Sequence, residues 1–178
     1  MGLIIPATVA KKHTGSRDVS RGLFVAAWGL TGAVSPRASV RVAAVDGSGE
    51  ALNLYTDHHR IDREAPSRPW AVYLAGRDLR YRLLAFDLDA KTPAAAAAAA
   101  RDADVLSGIL RDAGMESVVC ESGPSGGRHV WVGLAESVDA ATVATIARLV
   151  RHVCPTLDLA PLANATTGCV RPPGAPHR

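Results

Sequence analysis

The feature that most constrains the fold of this sequence is a β-type run that leads directly into a strongly helical segment. The run is YRLLAFDLD (81–89), and KTPAAAAAAARDADVLSGILRDAGM (91–115) follows it. Thr92 suits the cap of a helix, Pro93 its first position and Gly114 the residue after its end. The run between them consists of alanine, the residue type with the highest helix propensity. This order favours a domain in which helices cover a sheet.

Helical and β-type patterns alternate with turn residues along the rest of the chain. Residues 17–32 predict a helix that begins near Asp18 or Ser20 and ends near Gly32, and residues 139–152 predict another. Strands are predicted over 39–46, 51–57, 70–76, 116–122 and 128–134. The tail after residue 155 is strand-like and then irregular. We therefore predict a single α/β or α+β domain over residues 1–178, with a mixed or mostly antiparallel sheet.

Composition narrows the class of protein. The formal net charge is +3 and the pI is near 9.0, and arginine supplies most of the positive charge. Arginine suits bidentate contact with phosphate, so a polyanionic partner is plausible, although GC-rich coding also produces arginine and alanine. No stretch is long and apolar enough for a membrane span, and the first 13 residues lack the features of a secretory signal. These observations predict a soluble, cytoplasmic protein whose three cysteines are reduced thiols.

Two aspartates at the end of the 81–89 run form a candidate metal clamp. Asp87 and Asp89 are two residues apart, so in a strand both carboxylates project from the same face, roughly 7 Å apart at the backbone. A divalent cation such as Mg²⁺ or Mn²⁺ would remove their mutual repulsion. The alternative is a strand end at which both side chains are solvated or cap the following helix.

A glycine-rich turn precedes a strand that carries a histidine, in the sequence ESGPSGGRHVWVGL (121–134). Gly126 and Gly127 let backbone amides approach a phosphate, while Arg128 and His129 supply positive or hydrogen-bonding groups. Alternation puts His129 and Trp131 on the face opposite Val130 and Val132. The alternatives are an ordinary β-hairpin and a histidine that is part of the sheet.

Three further segments carry polar groups of interest. Asp158 projects from the apolar segment CPTLDLAPL, where it would give a third carboxylate to a two-metal site. Arg171 precedes a rigid Pro-Pro-Gly turn, and a loose proline-rich tail is the alternative. Asp57, His58 and His59 would be able to bind a metal, but the charged residues around them favour a solvated loop.

Taken in order, FDLDAK, SGGRHVW, LDLAP and VRPPGAPHR resemble the archaeo-eukaryotic primase superfamily, in particular the primase-polymerase domains of plasmid, phage and mobile-element replication proteins. The resemblance covers residues 81–178, and the LNLY strand (52–55) is similar to an aromatic strand found upstream in that family. It implies an α+β fold in which a palm-like antiparallel sheet of the RNA-recognition type joins an α/β unit. Because the last residues are still motif-like, the sequence leaves open two expectations: a complete domain, or the N-terminal part of a longer replication protein.

The resemblance implies a DNA primase or DNA polymerase that transfers nucleotides by a two-metal mechanism with Mg²⁺ or Mn²⁺. Asp87, Asp89 and Asp158 would bind the metals, and His129 would join them in catalysis. Nucleoside triphosphates would be the substrate, a DNA template and primer the partner, and a helicase would act in cis or in trans. Contacts to the triphosphate would come from Ser125, Gly127, Arg128, His129 and Arg171. The chain departs from the family pattern at Gly127, where a serine is expected, so Ser125 would have to supply the hydroxyl.

Two other functions remain open from the sequence. A non-catalytic replication-initiation module would use the same basic surface, and a metal-dependent phosphoesterase would use the same carboxylates and histidine. Under nucleotidyl transfer, the template would be held by arginine contacts to DNA backbone phosphates, and the few aromatic residues would stack on bases. The arginines considered are Arg60, Arg63, Arg68, Arg77 and Arg80, and the aromatic residues are Tyr55, Trp70 and Tyr73.

Overall fold

The computed structural model describes residues 15–177, with side chains from residue 24 onward. The prediction about a secretory signal concerns residues outside this range. The helices are α1 (Gly15–Val34), α2 (Pro93–Asp112), α3 (Ala140–Val153) and α4 (Ala160–Ala163). The strands are β1 (Ser39–Val45), β2 (Ala51–Arg60), β3 (Trp70–Tyr73), β4 (Tyr81–Leu88), β5 (Val118–Glu121), β6 (Arg128–Val138), β7 (Leu157–Asp158) and β8 (Cys169–Val170).

The strands form two four-stranded sheets. The first has the order β2-β1-β3-β8 and the second the order β5-β6-β4-β7, and every strand pair is antiparallel. The α+β class and the antiparallel pairing are therefore confirmed. The finer prediction of a primase-type palm stays a prediction.

One face of the second sheet is covered by α2 and α3. Along β4, Leu84, Phe86 and Leu88 are buried in the hydrophobic core together with Leu106 of α2 and Val143 of α3. Because side chains alternate across a strand, Asp87 then projects from the opposite face, away from the helices. The helical layer thus leaves the other face of this sheet available for polar groups.

Helix α2 begins and ends as the sequence predicts. The Thr92 hydroxyl accepts a hydrogen bond from the Ala95 amide at 3.1 Å, which satisfies one of the donors left open at a helix start. Gly114 follows the helix with a φ of +75°, and the Met115 amide donates to the Leu110 carbonyl at 2.9 Å. These caps fix where the chain enters and leaves the helical layer.

The first sheet packs against α1 through one buried tryptophan. Trp70 is inaccessible to solvent, its indole N–H donates to the Thr31 hydroxyl at 2.8 Å, and its ring meets Phe24 and Trp28 edge to face. Both ends of the tryptophan are thus satisfied, one by apolar rings and one by a hydrogen bond. The prediction that Trp70 stacks on bases is wrong, because the ring serves as the centre of this core.

A tight turn carries the chain from the first sheet to the second. The Gly76 amide donates to the Arg80 carbonyl at 2.8 Å, Ala75 pairs with Tyr81, and Leu79 adopts a φ of 60°. The Tyr81 hydroxyl donates to the Leu162 carbonyl at 3.0 Å. The predicted strand 70–76 therefore ends early, at Tyr73, because residues 74–80 are needed for this connection.

Strand β2 is longer than predicted and contains the histidine pair. His58 contacts the Tyr73 hydroxyl at 3.1 Å, and His59 contacts the Glu64 carbonyl at 2.7 Å. Asp57 pairs with Arg68 at 2.8 Å. The prediction of a solvated loop at this position is wrong, since pairing with β1 continues to the last residue of the strand.

Candidate active site

The candidate site is a row of side chains that crosses the second sheet from strand to strand. Asp87 on β4 pairs directly with His129 on β6 and, on its other side, with Asp158 on β7. His129 pairs in turn with Cys120 on β5. Directly opposed residues in an antiparallel pair project from the same face, with Cβ atoms about 5 Å apart. The strand register therefore brings together residues that are up to 71 positions apart in the sequence.

His129 is buried at the centre of this row. Its Nε2 lies 3.3 Å from Asp87 Oδ1, and only 4% of the residue is exposed. Burial opposes the charged form, but hydrogen bonds with Asp87 and then with Cys120 outweigh it and raise the pKa of His129 to about 9. At neutral pH the imidazole is therefore a cation, and it donates a hydrogen bond to the carboxylate beside it.

Asp89 and Asp158 complete a group of three carboxylates. The Asp89 amide donates to the Thr156 carbonyl at 2.9 Å, which holds the end of β4 against the β7 segment. Partial burial raises the pKa of Asp89, and the negative charges of Asp87 and Asp158 raise it further, while Lys91 and His129 lower it. Asp158 accepts a hydrogen bond from the Ala160 amide at 2.9 Å. The structure thus places the predicted carboxylates close enough to repel one another.

The glycine loop between β5 and β6 closes tightly beside this row. The Ser122 amide donates to the Gly127 carbonyl at 3.0 Å. Gly126 has a backbone φ of +86°, which residues with a side chain rarely adopt. Gly127 is buried, and a Cβ there would collide with the Ser122 hydroxyl. Small residues are required here because the loop packs against the end of β4.

Arg128 lies apart from the other predicted phosphate contacts. Its guanidinium donates to the Gly126 and Gly127 carbonyls at 2.9 and 3.0 Å, and it lies 3.5 Å from Glu121. As the neighbour of His129 in the strand, it projects from the other face of the sheet. In this structure Arg128 therefore braces the glycine loop, and its contact with phosphate stays a prediction.

The C-terminal segment packs on the glycine loop. The Arg171 guanidinium donates to the Ser122 carbonyl, and the His177 ring lies against Gly123. Pro172 is buried, so the segment is held in place. This position brings Arg171 and His129 to the same cleft, while the contact of Arg171 with phosphate stays a prediction.

Together these groups line a cleft of about 460 Å³ between the two sheets. From the predicted set it contains Asp87, Asp89, Ser125, His129 and Arg171. Asp158 lies next to it, in an adjoining depression of about 300 Å³ that also includes Asp87. The cleft further contains residues that we did not predict as site residues: Asn53, Tyr55, Lys91, Ser122, Cys169 and His177.

Tyr55 reaches the cleft because of a β-bulge. Asp57 lies opposite Val42, but Tyr55 lies opposite Ala43, so Thr56 is an extra residue in β2. Simple alternation would put Tyr55 on the same face as Asp57, which is the α1 side, whereas the bulge turns it to the other face. No local sequence signal marks this bulge. Tyr55 was considered only for base stacking, and its place in the cleft depends on the register.

The site contains side chains that are suited to metal binding, but their ligand atoms do not converge on one metal position. Among residues 24–177, no group of three histidine, cysteine or acidic side chains is arranged to hold a metal ion. Carboxylate oxygens nevertheless match hard divalent cations. Asp87, Asp89 and Asp158 would therefore have to reorient their side chains to coordinate an ion.

Most of the other candidates for DNA contact are occupied within the protein. Arg60 pairs with Asp62, Arg68 with Asp57, and Arg80 donates to Ser137. Only 3% of Tyr73 is exposed, so the prediction that Tyr73 stacks on bases is wrong.

Within the part of the chain that the structure describes, no helix is both long and apolar enough to cross a membrane.

Comparison with known proteins gives a likeness of fold. No protein-family model matches the sequence, and no curated protein matches it. Among solved structures, the fold is similar to that of the polymerase domain of Mycobacterium tuberculosis Ligase D, determined in complex with DNA. The two share 15% identity with a TM-score of 0.56, over 86% of this chain and 75% of that chain. At this identity the likeness is one of fold: the chain has a fold similar to that of a polymerase domain.

Proposed function

We propose that this protein catalyses template-directed nucleotidyl transfer on DNA. The observation that carries the proposal is the cross-strand row in which Asp87 lies between His129 and Asp158 at the floor of the cleft. Carboxylates that hold divalent cations, next to cationic side chains, are suited to a triphosphate, whose negative charge is spread over several oxygens. The fold similarity to a polymerase domain solved with DNA supports this assignment.

Asp87, Asp89 and Asp158 would hold the divalent cations. The fit rests on their donor atoms and on their proximity, since the charges of Asp87 and Asp158 add to the effect of burial in raising the pKa of Asp89. Bound Mg²⁺ or Mn²⁺ would supply charge neutralisation of the triphosphate and a lowered pKa for the attacking hydroxyl.

The protein's own groups would orient the substrate. Lys91, Ser125 and Arg171 line the cleft and carry hydrogen-bond donors that match phosphate oxygens. His129, held by Asp87, would present a fixed positive charge, and Tyr55 would stack on a base. Such fixed groups need little reorganisation when charge moves in the transition state. A covalent protein intermediate is therefore not required.

The finer role follows from the sequence resemblance. We propose a primase-polymerase that serves the replication of a plasmid, phage or mobile element, next to a helicase in cis or in trans. Primer synthesis on a primer-free single-stranded template, with NTPs and dNTPs supplied separately, distinguishes initiation from extension.

The decisive experiment is primer extension with a labelled primer-template and Mg²⁺ or Mn²⁺. Replacing both Asp87 and Asp89 by Asn should lower incorporation by at least roughly 10²-fold, the size expected for loss of an electrostatic stabiliser. Asp104→Asn is the matched control, because Asp104 is an exposed carboxylate on α2 and lies outside the cleft.

Three outcomes would contradict the proposal. Equal incorporation by the double variant would remove these carboxylates from the mechanism. Release of nucleotides without extension would identify a phosphoesterase. Binding of DNA without either reaction, unchanged in the variant, would identify a non-catalytic module.

A further inference from the structure

A second concavity of about 400 Å³ lies on the first sheet. It is lined by Arg37, His58, Tyr73, Arg77 and Thr166, among others, and we call it the arginine pocket. Tyr73 pairs with Cys169, which lines the cleft, so the arginine pocket and the cleft share one face of this sheet. The arginine pocket is thus outside the candidate active site but on the same side of the molecule.

Arg37 gives the arginine pocket a fixed positive charge. Its nitrogens donate to the carbonyls of Ala75, Gly76, Ala165 and Thr166, at 2.8 to 3.3 Å. Its guanidinium lies 4.0 Å from the centre of the Tyr73 ring, whose other neighbour is the stacked ring of His58. The charge is therefore held by backbone dipoles and an aromatic face, and among the described residues no carboxylate forms an ion pair with it.

The other charged side chain that lines the arginine pocket, Arg77, is also positive. Arg77 is exposed, and within residues 24–177 its side chain has no hydrogen bond or ion pair. Arg41 lies on the same face, and its Nε is buried without a partner among the described residues. No acidic residue lines the arginine pocket, since Asp57 is on the other face and Asp78 accepts from the Arg80 amide. An anion is the ligand that this arrangement favours.

The position of the arginine pocket relative to the cleft indicates which anion. Thr167 borders the depression that contains Asp158 and Tyr55, and its neighbour Thr166 borders the arginine pocket. The Arg41 guanidinium contacts the Thr167 carbonyl at 3.4 Å, between the two. A nucleic-acid strand that leaves the cleft past Thr167 would therefore meet the arginine pocket next.

We infer that the arginine pocket binds a backbone phosphate of the single-stranded DNA that extends out of the cleft. This inference rests on the proposed function for the identity of the strand. Arg37 would provide the fixed charge, and Arg77 would close on the phosphate from solvent, because its side chain is free to change conformation. The grip would be independent of base sequence, since only the backbone is contacted.

The test measures the affinity for primer-templates whose single-stranded overhang grows from about two to about twelve nucleotides, a range that spans typical single-strand site sizes. In the wild type, affinity should rise once the overhang reaches the arginine pocket. Arg77→Ala should remove this rise and lower the slope of log affinity against log salt by about 0.7, the value for one phosphate on a single strand. Arg77→Lys should restore the slope, because it keeps the charge.

Arg101→Ala is the matched control, since Arg101 is an exposed arginine on α2, on the other side of the second sheet. An equal loss of DNA affinity in Arg101→Ala would show that general positive charge attracts the strand, and it would overturn the inference about the arginine pocket. So would an Arg77→Ala protein that matches the wild type at every overhang length. If Arg77 proves necessary but the wild type incorporates no nucleotide, the arginine pocket stands and the proposed function fails.

Discussion

The two sheets differ in the charge that they carry on the cleft side of the molecule: the second is acidic at the cleft, and the first is basic beside it. The second sheet, which forms the floor of the cleft, contributes Asp87, Asp89 and Asp158. The first sheet, which forms its other wall, contributes Tyr55 and extends to Arg37 and Arg77. This division suggests that the floor performs the chemistry and the wall binds the polyanion, so each should be open to separate disruption.

The sheets also differ in how they are supported. The floor lies on two helices, with a layer of mostly aliphatic side chains between the sheet and the helices. The wall depends on α1 and on a cluster of three aromatic rings around Trp70. A single substitution in the aromatic cluster should therefore destabilise the wall more than a single substitution in the layer between sheet and helices destabilises the floor.

The largest effect is expected for Trp70→Ala. Loss of a fully buried tryptophan should lower the free energy of unfolding by about 3–5 kcal/mol, and urea denaturation followed by circular dichroism measures it. Trp28→Ala is the comparison, because Trp28 is only partly buried at the edge of the same cluster. An equal cost for both would show that the wall has no single centre.

Asp158→Asn should have the next largest effect, on activity instead of stability. Incorporation should fall by about 10²- to 10³-fold, because the floor loses one of its converging charges. DNA affinity should not fall, since removing a negative charge does not weaken binding of a polyanion. A parallel loss of DNA affinity would contradict the separation of floor and wall.

Tyr55→Ala tests the wall within the cleft. If the ring stacks on a base, the substitution should cost about 1–3 kcal/mol of DNA or nucleotide binding, measured by fluorescence anisotropy. Tyr55→Phe retains the ring and should bind nearly as well. Equal losses in both variants would assign the effect to the hydroxyl and not to stacking.

The smallest effect is expected at the cap of α2. Thr92→Ala removes the hydroxyl that accepts the Ala95 amide and should lower the free energy of unfolding by about 1 kcal/mol. Thr92→Ser keeps the oxygen and is the control. An unchanged stability in Thr92→Ala would mean that water replaces the cap.

The parts of this molecule that were predictable from sequence are those governed by local chemistry. Thr92, Pro93 and Gly114 mark the limits of α2, and the alternation of β4 places Asp87 on the face away from the helices. The approach of Asp158 to Asp87 was expected from the sequence resemblance, and the register of β7 provides it.

The parts that were not predictable depend on long-range packing. The bulge at Thr56 has no local signature, and it decides which face Tyr55 occupies. From the sequence alone, Trp70 is equally compatible with a residue that stacks on a base. Only its contact with Trp28 of α1 identifies it as a core residue. The short helix α4 contains most of the apolar LAPL stretch (159–162), which alone suggested a strand.

The bulge in β2 makes the cleft wall tolerant of a change in chain length at one position. Because Thr56 is the extra residue, a chain that lacks it would join Tyr55 directly to Asp57 and still place Tyr55 opposite Ala43, on the cleft face. A strand that kept Thr56 but lost the bulge would instead turn Tyr55 away and bring Leu54 to the cleft face. The aromatic lining is thus encoded by the local backbone geometry at this residue, and not by the number of residues in the strand.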